Sequence, residues 1–136
     1  MTQFEPQFFK EYKPTPEQLD QYFQSAVRDF EIARKDNFVE VQFSYCFQAL
    51  IKAGIALFAK VGPVRVRSVP GHHVKTLEKM SEILNDPDIN TIGNVMRAKR
   101  NLDFYEGGVI VSESEVKDFL KFVQGVLNSV RKVLSK

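Results

Sequence analysis

Cysteine occurs once and histidine twice in this chain of 136 residues, and neither Cys-x-x-Cys nor His-Glu-x-x-His spacing is present. So few ligands exclude a dedicated zinc site, and nothing in the sequence asks for a cofactor. Cys46 stands alone in an apolar stretch, where it can form no internal bridge and reads as a small buried hydrophobe suited to a reducing compartment. Glycine-rich phosphate loops of the Walker or Rossmann kind are missing. The opening Met1-Thr-Gln-Phe-Glu-Pro6 has neither the basic flank nor the apolar core of a signal peptide, and no apolar run approaches a membrane span in length. The expectation is a cytoplasmic protein with no membrane partner. A formal net charge of +2 is too small to make a general nucleic-acid field, so any anion site must be local.

What is present reads as helices. Residues 1–15 carry Phe4, Phe8, Phe9 and Tyr12 among prolines and polar residues, and are expected to be an N-terminal arm without an element of its own, its aromatics docked on the body or on a second subunit. Thr15-Pro16-Glu17-Gln18 has the pattern of a capping box with proline in the first turn, predicting a helix to about Lys35. Leu19, Tyr22, Phe23, Ala26, Val27, Phe30 and Ala33 give it one apolar stripe.

A second helix is predicted from about Phe38 to Lys60. Only Glu40, Ser44, Gln48 and Lys52 make a polar line along it, and the remaining circumference, Phe38 included, is apolar. A helix of that kind is buried by neighbours on several sides, which makes it central. Val64-Arg-Val-Arg-Ser-Val69, between Gly62-Pro63 and Pro70-Gly71, alternates like an extended loop and offers Arg65 and Arg67 to an anion or simply to water.

His72-His73 opens a third helix, with Val74, Leu77, Met80, Ile83 and Leu84 as its inner face and Asn85-Asp-Pro-Asp88 as its stop. Adjacent helical histidines point about 100° apart, so they are poor joint metal ligands, and one of them is expected to hydrogen-bond the preceding loop. A fourth helix covers roughly Ile89 to Tyr105, with Ile92, Val95, Met96 and Leu102 inward. Gly107-Gly108 turns the chain, Ser112-Glu-Ser-Glu115 forms another capping box, and a fifth helix runs to about Leu134. The class is all-α: an up-and-down bundle of four to five helices forming a single domain over residues 16–136, with no sheet expected.

Charge, amide and phenol converge in Arg97-Ala-Lys-Arg-Asn-Leu-Asp-Phe-Tyr105. On a helix Arg97, Arg100 or Asn101, and Tyr105 share one surface. Arginine grips phosphate with a planar, permanently charged fork, and a carboxamide adds a donor and an acceptor. The plainer explanation is that basic residues near a helix end complement its dipole.

Taken with Gln48-Ala-Leu50, Gly54 and Gly71-His72, the run Arg100-Asn101 followed by Leu-Asp-Phe-Tyr105 resembles the HEPN superfamily over most of residues 17–134. That resemblance implies a helical bundle, commonly homodimeric, of which many are metal-independent endoribonucleases of toxin or defence type. The family signature is an arginine, a polar neighbour and a histidine four to six positions later. Arg100 and Asn101 match, but Tyr105 stands near the expected histidine, and no histidine follows. An unperturbed tyrosine ionises near ~10 and is a poor base, so binding survives this departure more readily than catalysis.

The resemblance implies Arg100, Asn101 and Tyr105 as reacting-site residues with Arg97 and His72 beside them, while the loop's own residues offer Arg65 and Arg67 as further phosphate or RNA ligands. It implies RNA or a nucleotide as partner, in a homodimer. An antitoxin would be the partner under that toxin-type reading, and two alternatives stay open: a non-catalytic module that binds RNA or nucleotide or partners a nucleotidyltransferase, and a purely structural interaction protein.

Overall fold

The computed structural model describes residues 2–106 and 111–136, excluding the side chains of residues 102–106. Over these residues the order is β1 (Phe9–Glu11), α1 (Pro16–Lys35), α2 (Val39–Val61), β2 (Val64–Val66), α3 (His72–Leu84), α4 (Pro87–Glu106) and α5 (Glu113–Leu134). The chain is mostly helical, as the apolar periodicities predict, with a two-stranded antiparallel sheet as an addition.

Local chemistry sets the helix starts. Thr15 Oγ1 accepts from the Gln18 amide at 3.2 Å and Gln18 Oε1 accepts from the Thr15 amide at 2.9 Å, closing the box ahead of α1. Ser112 and Glu115 repeat it ahead of α5 at 3.1 and 3.2 Å, and the Glu115 carboxylate also takes the Lys99 ammonium of α4. Asn85, in the left-handed region at φ 52°, ends α3. Pro87 then begins α4 earlier than Ile89, because the missing N–H of proline costs nothing in a first turn.

α2 is the hub. It packs against α1 and α5 and also meets α3, α4 and β2. Phe47, Leu50, Ala53, Ala56, Leu57 and Phe58 are fully or almost fully buried along it. By length and composition this 23-residue helix could span a membrane, against the expectation of no such run. Here 56 % of its apolar stretch is buried inside the protein. Phe38 precedes it and is 68 % exposed, outside the apolar cover expected of it.

Small residues allow the close approaches. A Cβ on Gly54 would stand 2.7 Å from Met80 Sδ of α3, and one on Gly93 would stand 2.7 Å from Leu77 Cδ2, so α3 is nested tightly against α2 and α4. Val74 and Val95, expected inward, are 38 % and 51 % exposed. The α3–α4 pair buries Leu77, Met80, Ile89 and Met96 instead, leaving these two valines on outer faces.

The N-terminal segment departs from the expectation of an arm with no element. Phe9, Lys10 and Glu11 pair with Val66, Arg65 and Val64. Phe9 and Phe4 pack edge-on against Phe58 at 5.4 and 5.9 Å between ring centres, so these aromatics dock on the body. Glu5 completes the attachment through ion pairs to Lys75 at 2.8 Å and Lys79 at 2.6 Å. Hydrogen bonds from Lys75 and then Lys79 lower its carboxyl pKa to about 2.

Candidate functional site: a groove across the central helix

The polar line of α2 does not face open water along its whole length. Gln48 and Lys52, one turn apart, border a groove of about 300 Å³ whose other lining residues are Phe47, Ile51, Ile55, His73 and Arg100. Three helices therefore contribute: α2 the floor, α3 the histidine and α4 the arginine.

Arg100 reaches the groove because α4 brings its C-terminal half over α2. Its guanidinium carbon lies 5.6 Å from the centre of the Phe47 ring, a cation–π distance. Phe47 is 1 % exposed, so the ring is a fixed support for the charge. Among the described residues no carboxylate forms an ion pair with Arg97 or Arg100. Arg97 donates through Nε to Asn94 Oδ1 at 3.2 Å on its own helix and is not part of the groove lining.

The two histidines divide their work as adjacent helical positions must. His72 Nδ1 meets the Val69 carbonyl at 2.9 Å; since a carbonyl can only accept, this nitrogen carries the proton and ties α3 to the loop before it. His73 turns to the groove, its ring centre 6.0 Å from that of Phe47 and 4.2 Å from that of His72. Burial first, then the charges of His72, Arg100 and Arg97, push its pKa down to about 4. Near neutral pH it is an uncharged imidazole offering one donor and one acceptor beside a guanidinium.

Lys52 is held from behind. Its ammonium contacts Asp29 Oδ2 at 2.8 Å and Ser25 Oγ at 2.9 Å, both on α1. Asp29 is 4 % exposed, and although its Oδ2 lacks a partner of hydrogen-bond geometry, the ion pair compensates its charge at that short distance. An ammonium has three donors, so at least one remains for the groove.

The residues expected from sequence do not gather in one place. Arg100 lines the groove, Arg97 stands close enough to influence His73, and His72 serves the loop. Asn101 is exposed and outside the groove lining. Arg65 lies over the Tyr12 ring at 5.0 Å, and Arg67 Nε donates to the Pro6 carbonyl at 2.9 Å, so both belong to the sheet that holds the N-terminal segment. The Tyr105 side chain and the Gly107-Gly108 turn lie outside the described residues. His73, Gln48 and Lys52 were visible in the sequence as a histidine pair and a polar line, but nothing local joined them to Arg100.

Among the described residues larger concavities lie elsewhere, including one of about 410 Å³ beside Arg28, Glu31 and Lys35 of α1. One of about 500 Å³ runs between Leu19 and Phe23 of α1 and Arg131 and Leu134 of α5. Another of about 550 Å³ follows the β1–β2 sheet. None of these is lined by a histidine, so the smaller groove is the better candidate for chemistry. Among the described residues no group of three or more His, Cys, Asp or Glu side chains is gathered to hold a metal.

The fold and site define a helical bundle with a groove edged by two cations and a neutral imidazole. No family model, curated protein or solved structure matches this chain.

Proposed function

We propose that this protein binds a phosphate ester of RNA in the groove between α2, α3 and α4, as a HEPN-type bundle would. The observation that carries the reading is the convergence of Arg100 and Lys52 on one groove beside His73. A guanidinium supported by an aromatic ring is a preorganised cation, and an ammonium whose charge is compensated by a buried carboxylate adds a positioned donor, together an arrangement suited to a phosphate. Arg97 adds positive field from the same helix.

Within this reading, binding is favoured over turnover. A histidine whose pKa is lowered to about 4 is neutral at physiological pH and a weak base there, well below the match that general base catalysis needs. His73 therefore orients the phosphate by hydrogen bonding. The non-catalytic form of the proposal, an RNA-binding or nucleotide-binding module that pairs with a second copy, an antitoxin or a nucleotidyltransferase, fits this better than a metal-independent endoribonuclease.

The test is incubation of labelled RNA with purified protein in the presence of a chelator. Saturable, salt-sensitive retention without product supports the module. Multiple-turnover cleavage lost in Arg100→Ala would restore the endoribonuclease, and absence of both retention and cleavage would remove RNA from the account.

A further inference from the structure

We infer that the groove is a subsite for one unstacked nucleotide, its base laid on Ile51 and Ile55 with an edge at Gln48, and its phosphate between Lys52 and Arg100. This rests on the phosphate-ester reading above and adds a base-binding half to it.

The lining is divided by chemistry. Ile51 and Ile55 are one helical turn apart on α2, and both are only partly buried although apolar. They form a floor suited to the flat face of a base. Gln48, one turn before Lys52, presents a carboxamide with both donors and an acceptor, the complement needed to read an unpaired base edge. A phosphate alone would need only the cations and a donor such as the Gln48 amide; the isoleucine floor would not serve it.

The size agrees with a single unit. A volume of about 300 Å³ stands at the small end of ligand sites, enough for one nucleotide and too little for a stacked base pair. The cationic groups reach the groove from different helices: Lys52 of α2 is tethered on the α1 side by Asp29 and Ser25, while Arg100 lies across Phe47 from α4. His73, neutral beside Arg100, adds hydrogen-bonding capacity without a competing charge.

The experiment titrates the isotope-labelled full-length protein with adenosine and uridine 5′-monophosphates, ribose 5-phosphate, inorganic phosphate, and single-stranded and duplex RNA of equal length. Mononucleotides should shift the Gln48 side-chain amide and the Ile51 and Ile55 methyl signals, whereas ribose 5-phosphate should not. Single-stranded RNA should bind at least about tenfold more tightly than duplex, because only an unpaired base can enter.

Gln48→Leu, close in shape, should weaken the preferred mononucleotide about tenfold and leave ribose 5-phosphate unchanged. Equal binding of ribose 5-phosphate and mononucleotides, or an unaltered mononucleotide affinity in Gln48→Leu, would overturn the base subsite while leaving phosphate binding intact. Failure of every ligand to bind in an Arg100-dependent way would overturn both.

Discussion

The Arg100 guanidinium carbon stands 5.6 Å from the centre of the buried Phe47 ring, joining the end of α4 to the middle of the central helix. A ring face attracts a cation and cannot neutralise it, so this contact positions the charge without cancelling it. Phe47→Leu should keep the helix buried and remove the support. The expected cost in stability is on the order of 1 kcal/mol, with a loss of anion affinity of a few fold. Chemical denaturation and phosphate titration on the same variant measure the two effects separately.

His73 is the internal reporter of the groove. Its imidazole ordinarily titrates near 6.5, and burial followed by the neighbouring positive charges holds it near about 4. Because the folded value is depressed, the unfolded chain binds more protons between those values, and stability falls as pH drops from about 6.5 toward 4. A phosphate placed against Arg100 offsets positive field, so ligand should raise the His73 pKa. Imidazole proton shifts followed against pH, with and without mononucleotide, check the sign; a downward movement on binding would contradict it.

Glu5 makes a second acid-sensitive contact, distinct in its window. Its folded pKa of about 2 lies below the ordinary carboxylate value of 4.5 because Lys75 and Lys79 hydrogen-bond the charged form. The contribution is present above about 4.5 and is lost as pH falls toward about 2. Glu5→Gln should therefore flatten the decline of the thermal midpoint in that interval, and it should speed amide exchange in Phe9–Glu11 at neutral pH.

Two glycines in helices should respond in opposite directions to the same change. At Gly54 a new Cβ would press on Met80 Sδ at 2.7 Å and Thr76 Cγ2 at 3.0 Å, both side chains being buried, so Gly54→Ala should destabilise by about 1–3 kcal/mol despite better helix propensity. Gly125 is exposed on α5 with nothing within 4 Å of its prospective Cβ, and Gly125→Ala should stabilise by up to about 1 kcal/mol. Urea midpoints of the pair provide the check.

The helices were legible where their signals were local. Thr15 with Gln18 and Ser112 with Glu115 form the two capping boxes their spacing predicts, since a box depends only on residues three apart. The near-continuous apolar cover of α2 likewise announced a central helix. The strand at Phe9–Glu11 was not legible, because three residues pair only through contacts with Val64–Val66 more than fifty positions away. Val95 was expected inward because spacing identifies an apolar stripe without saying which of two faces a neighbour covers. At the site, Arg100 carried a recognisable motif, but His73 had no sequence signal linking it to that arginine. Their meeting depends on how α3 and α4 cross α2, and spacing along one helix does not encode that.

The measurement closest to the central proposal is the affinity of a short single-stranded RNA for the native protein, Arg100→Ala and Arg65→Ala at one fixed salt concentration. Arg100→Ala should lose about tenfold or more, as removal of a charge-assisted phosphate contact does, while Arg65→Ala, altered beside Tyr12 and away from the groove, should stay within about twofold. Equal affinities for all three proteins, or a larger loss at Arg65, would contradict a phosphate site at Arg100.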